Sequence, residues 1–172
     1  NNKEDKLAAW IADRLNKEAA KWPENLNERA HPCPEISTEA KEKYTKNESF
    51  SAVTKLMWFL KPDGWTIFDN LTATALGARN KKHKSRMTVF YEELHKRKFV
   101  CYANKIGKIF DGSDLNELHG ERVIDKFLML SGAPVVWTMD IIDECKLFLN
   151  GCDVQQQLKE VADCISRKFA AS

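Results

Sequence analysis

SFSAVTKLMWFLKPDGWTIFDNLTATAL, residues Ser49–Leu76, holds the pattern that decides the fold. Phe50 to Leu60 is apolar on most of its faces, the signature of a buried helix rather than a surface one. Asn47-Glu48-Ser49 offers N-cap choices before it. Pro62-Asp63-Gly64 stops it, because proline has no amide to donate and glycine turns the chain freely. Trp65-Thr66-Ile67-Phe68 is short and extended, too isolated to make a sheet. Asp69 or Asn70 then caps a second helix running through Leu76, with Gly77 near its end. Residues 47–77 are therefore a helix-link-helix core.

Working outward, Leu7, Trp10, Ile11, Leu15 and Ala19 recur at three- and four-residue spacing. They predict an amphipathic helix ending near Trp22-Pro23. Residues 25–34, with Pro32 and Pro34, read as an extended connection, so that 1–34 is an N-terminal helix and its link. A polar helix follows over Thr38 to Tyr44. On the other side, residues 79–86 read as a basic loop and Met87 to Ile109 as one long helix with Phe90, Leu94, Tyr102 and Ile106 inward. Asp114-x-x-Glu117 resembles a capping box. Glu121 to Ser131 is a helix closed by Gly132 and Pro134, and Thr138 to Leu149 is another. Asp153-x-x-Gln156 opens the last, with Val154, Leu158, Val161, Ile165 and Phe169 on its core side. No run shows the two-residue alternation of strands. The expectation is an all-α chain: residues 1–172 as one compact, orthogonally packed domain of roughly seven to nine helices.

Composition sets the outer bounds. The 172 residues are 43% hydrophobic and 30% charged, a globular balance that excludes disorder. A chain of this size buries roughly 70% of its unfolded surface, enough for a core without staples. No apolar run approaches the ~20 residues that span a bilayer, and no signal-peptide core is visible, so no membrane partner is expected. The five cysteines are odd in number, form no C-x-x-C and sit mostly in helical apolar patterns. They read as small buried hydrophobes in a reducing, cytoplasmic setting. The histidines are scattered, so neither a metal site nor a cofactor is implied. Phosphate-binding glycine loops, G-x-S-x-G and H-E-x-x-H are all missing.

Two residues of the core carry potential chemistry. Asp69, at a helix start, is stabilised as the anion by the dipole and free amides, whether as a plain N-cap or as a reactive carboxylate. Lys55 lies on an otherwise apolar helix; it either snorkels to solvent or, if buried, becomes a nucleophilic amine. Val53-Thr54-Lys55 followed by Ile67-Phe68-Asp69 resembles the catalytic core of the helix-hairpin-helix DNA glycosylases, especially the 8-oxoguanine glycosylase branch. The run from Arg122 to Gly132, RVIDKFLMLSG, resembles a closing helix in small bacterial proteins of that kind. The resemblance implies a DNA partner and cleavage of an N-glycosidic bond at a damaged or modified base. Asp69 would be the acid-base residue, and Lys55 would match the Schiff-base lysine of the bifunctional glycosylase/lyase members. Trp58, Trp65 and Phe68 would line the pocket for the extruded base. The sequence departs from the family in two places. Glu48 to Ser51 has no glycine where the family's hairpin is glycine-rich, and the interval from Lys55 to Asp69 is short.

The formal net charge is only +2, yet Arg79, Lys81, Lys82, Lys84 and Arg86 crowd into eight residues just after the Asp69 helix. Such a run neutralises phosphates, or is simply a solvated basic loop. His95-Lys96-Arg97-Lys98 is a second cluster. Three function classes follow: a glycosylase-like enzyme, a non-catalytic nucleic-acid-binding module on the same scaffold, and a helical protein-interaction or regulatory protein.

Overall fold

The computed structural model describes residues 3–19, 21–78, 83–112, 118–133 and 155–169. The chain is all-helical and compact: helices α1 (Lys3–Ala19), α2 (Leu26–Ala30), α3 (Cys33–Lys43), α4 (Phe50–Leu60), α5 (Asn70–Ala75), α6 (His83–Lys96), α7 (Phe99–Ile109), α8 (Gly120–Gly132) and α9 (Gln155–Phe169), with no strand among the described residues. They enclose one hydrophobic core. From α1 come Ile11 and Leu15, from α4 Phe50, Val53 and Met57, from α6 Phe90 and Leu94, from α8 Ile124 and Leu128, and from α9 Val161, Ile165 and Phe169. The expected helices Thr138–Leu149 and the Asp114 capping box, along with Val154, lie outside the described residues.

Four boundaries differ from the sequence expectation. Residues 25–34 are not an extended connection. The Asn25 Oδ1 accepts from the amides of Asn27 (3.0 Å) and Glu28 (3.4 Å), which caps α2. Pro34 sits in the first turn of α3, where a missing amide costs nothing, so that helix starts well before Thr38. The long helix expected over Met87 to Ile109 is two helices, because Lys98 adopts a left-handed conformation (φ 59°) and turns the chain between α6 and α7. Finally, the basic stretch is not wholly a loop: His83 to Arg86 form the first turn of α6, and residues 79–82 lie outside the described residues.

The densest packing joins α5 to α8, with α7 against α8 next. Glycine makes both possible. A methyl group at Gly132 would overlap the carbonyl oxygen of Leu71 in α5, and one at Gly120 would overlap that of Ala103 in α7. The backbones approach more closely there than any larger residue permits.

Candidate functional site

The link from Lys61 to Phe68 turns at Asp63-Gly64, where the Trp65 amide donates to the Pro62 carbonyl (2.9 Å), and has no strand neighbour, so its remaining backbone groups need other partners. Side chains from four helices supply them. Arg29 of α2 donates to the carbonyls of Lys61 and Asp63 (2.8 Å for the latter). The Gly64 amide donates to Glu121 of α8 (2.8 Å), at a turn where Gly64 has φ +68°. Tyr91 of α6 donates its hydroxyl to the Thr66 carbonyl (3.0 Å). The Phe68 amide donates to the Thr54 hydroxyl of α4 (3.2 Å), while Trp65 Nε1 donates to the Thr54 carbonyl (3.0 Å). The Thr54–Phe68 bond ties the α4 turn that carries Lys55 to the end of the link that delivers Asp69.

Asp69 is the N-cap of α5 in a full capping box. Its Oδ1 accepts from the amides of Leu71 (2.7 Å) and Thr72 (2.9 Å), and its own amide donates to Thr72 Oγ1 (3.2 Å). Oδ2 accepts no hydrogen bond among the described residues, and the side chain is half-buried. Its carboxylate acts on a second one. Asp125 of α8 is 4% exposed, accepts from Thr66 Oγ1 (3.2 Å) and pairs with Arg122 Nη1 at 2.5 Å. Burial pushes the Asp125 carboxyl above its usual range and the nearby Asp69 charge adds to this, while Arg122 and the Thr66 bond oppose it.

Arg86 reaches from α6 to the same end of α5, donating from Nη1 to the Asn70 Oδ1 at 2.7 Å. The last residue of the basic run thus touches Asn70, the residue after Asp69. Lys84 lies two residues earlier on α6, and Arg79, Lys81 and Lys82 lie outside the described residues.

The remaining expected site residues separate into surface and core. Lys55 is exposed on α4, so it lacks the burial on which a nucleophilic role depends. Trp58 is half-buried, with the Arg122 guanidinium 5.4 Å over its ring and His119 edge-on at 5.8 Å. Trp65 and Phe68 are core residues rather than pocket walls. Trp65 is fully buried and stacked on Tyr91 (4.8 Å), and Phe68 packs edge-on against Phe50 and Phe90.

Neither of the two described clefts is lined by Asp69 or Lys55. One, of about 710 Å³, lies between α7 and the start of α8 and includes His119 and Glu121. The other, of about 790 Å³, is rimmed by Glu35, Glu39, Glu42 and Glu92, a charge that repels phosphate. No group of three or more His, Cys, Asp or Glu among the described residues is placed to hold a metal ion, and no described helix is long and apolar enough to cross a membrane.

Sequence reasoning missed Asp125, Glu121, Arg29 and Thr54. Only Asp125 carried a signal, its i,i+3 spacing from Arg122. Comparison with protein-family models, with curated proteins and with solved structures finds no match for the chain.

Proposed function

We propose that the chain is a DNA-directed protein of glycosylase type, releasing a damaged or modified base at the corner where α4, α5 and α8 meet. The observation that carries this reading is the division of labour within the Asp69 carboxylate. Oδ1 is fixed by two amides, and Oδ2 accepts nothing among the described residues. A carboxylate held in this way is preorganised to stabilise positive charge growing on deoxyribose as the N-glycosidic bond breaks. Arg86 on Asn70 supports the reading, since it sets the end of a basic run on the residue that follows Asp69. Water then adds to the sugar carbon, the base leaves with the bonding pair, and Asp69 takes up the proton that water gives off. Exposed Lys55 serves as a phosphate contact in this scheme rather than as the Schiff-base amine.

The test is base release from duplexes carrying a panel of oxidised, alkylated and deaminated bases, for the wild type and Asp69→Asn. Asparagine caps a helix as well as aspartate does, so the variant keeps its fold. Release should fall by about a hundredfold or more, with DNA affinity nearly unchanged. Borohydride should trap no protein–DNA adduct. Salt-sensitive DNA binding with no base release from any substrate would replace this reading with the non-catalytic module; neither binding nor release would leave the interaction protein.

A further inference from the structure

Phe59 is 78% exposed near the end of α4 and has no aromatic partner among the described residues. Leu60 beside it is 37% exposed, so the end of α4 presents apolar surface to solvent, which calls for an explanation. The neighbours of Phe59 give one. Lys55 stands four residues earlier, on the same face and exposed, and Lys61 follows where the helix ends. Trp58, beside it in sequence, is half-buried and carries the Arg122 guanidinium 5.4 Å above its ring. Phe59 and the neighbouring Leu60 therefore stand between two lysines along the chain, with Trp58 and Arg122 next to them.

A protein partner would favour a continuous apolar patch with charges pushed to its rim. Here the exposed apolar surface is only Phe59 and Leu60, and lysines flank it on both sides in sequence. Unpaired nucleic acid offers what this edge lacks: flat base faces for the free ring and phosphates for the lysines. A duplex hides its base faces in the stack and presents only phosphate.

We infer that the α4 edge around Phe59 is a stacking platform for unpaired nucleic acid, so that the chain binds single-stranded stretches in preference to duplex. This deepens the function proposed above and rests on it only for the chemistry at Asp69; the binding preference stands on the α4 edge alone.

The experiment is fluorescence anisotropy with a labelled oligothymidylate of about fifteen nucleotides and a duplex of equal length, at two salt concentrations. The wild type should bind the single strand more tightly. Phe59→Ala should weaken single-strand binding about tenfold and leave duplex binding nearly unchanged. Phe59→Leu should fail like alanine, because it keeps apolar area without a π face, whereas Phe59→Trp should restore binding. Lys55→Gln should lower the salt dependence. Phe59 is on the surface, so these variants fold. Equal affinity for strand and duplex, or single-strand affinity indifferent to Phe59→Ala, overturns the inference. So does a Phe59-dependent self-association, seen by sedimentation, with oligonucleotide affinity unchanged. Base release that depends on Asp69 without a Phe59 effect on binding leaves the function and removes the platform. Phe59-dependent binding without base release does the reverse.

Discussion

Arg29 is the strongest lever on the site that does not belong to it. Its guanidinium is 2% exposed, lies 5.1 Å from the Trp22 ring and 5.0 Å from the Trp65 ring, and forms no ion pair among the described residues. Burial pulls it down to about 10, still charged at neutral pH. The charge is met instead by two carbonyls, that of Lys61 at the C-cap of α4, where the helix dipole is negative, and that of Asp63 in the turn beyond it. Arg29→Met keeps the stem's apolar volume and removes the fork. Two charge-assisted hydrogen bonds at about 1.5 kcal/mol each, the low end of their range, give about 3 kcal/mol. The ring contacts add about 1 kcal/mol or more, and relief from burying the charge subtracts a similar amount. The expected loss is about 3 kcal/mol, because methionine satisfies neither carbonyl. For a chain of this length that lowers the melting temperature by about 6–12 °C. Arg29→Lys should lose less, as an ammonium can reach one carbonyl but not span both. Urea unfolding followed by circular dichroism measures both. A methionine variant within about 0.5 kcal/mol of wild type would refute the reasoning, showing that the desolvation cost cancels the bonds.

Gly132→Ala should destabilise by about 1–3 kcal/mol in thermal unfolding despite alanine's better helix propensity, since the new methyl meets the backbone of Leu71 rather than a movable side chain. Thr54→Val keeps shape but orphans the buried Phe68 amide; a loss of about 1–3 kcal/mol and faster hydrogen exchange at Phe68 are expected. Asp125 gives a pH dependence. Its folded carboxyl titrates above the ordinary 3.8, so as pH rises from that value the unfolded chain gives up its proton first, and stability falls until the folded group has ionised too. Asp125→Asn removes that fall, so urea titrations from acid to neutral pH should show the variant gaining on wild type as pH rises; parallel curves would contradict the assignment.

The helical class was legible because long apolar periodicity survives any tertiary arrangement. The pattern of α1 and α9 names their buried residues: Ile11 and Leu15, then Val161, Ile165 and Phe169. The helix α2 was not legible as such. Five residues make little more than one turn and carry no period, and only the Asn25 cap announced it. The break at Lys98 carried no glycine or proline, so a left-handed lysine was invisible beforehand. Within the site, Asp69 as N-cap followed from its position before an apolar run. That Lys55 faces solvent while Trp65 and Phe68 face the core did not, because on an apolar helix and an isolated link the outward side is set by what packs against them. Arg29 and Thr54 were out of reach for a related reason. Their partners Asp63 and Phe68 lie 34 and 14 residues away, and no local pattern encodes such a bond.

The link that places Asp69 behaves like a strand whose ladder is made of side chains. Arg29, Thr54, Tyr91 and Glu121 each hold one or two of its backbone groups, and they come from α2, α4, α6 and α8. None is adjacent to the others in sequence, so the position of the Asp69 carboxylate depends on four helices being docked at once. A regular sheet would spread that task over identical bonds and tolerate the loss of one. Here each loss leaves a distinct backbone group unmet, at a cost of about 1–3 kcal/mol. The site is therefore coupled to core packing, and variants at these four positions should displace Asp69 and weaken whatever it does without touching a ligand. Phe59 stands outside this network, on a solvent-facing edge of α4, and the same changes should leave its ring where it is.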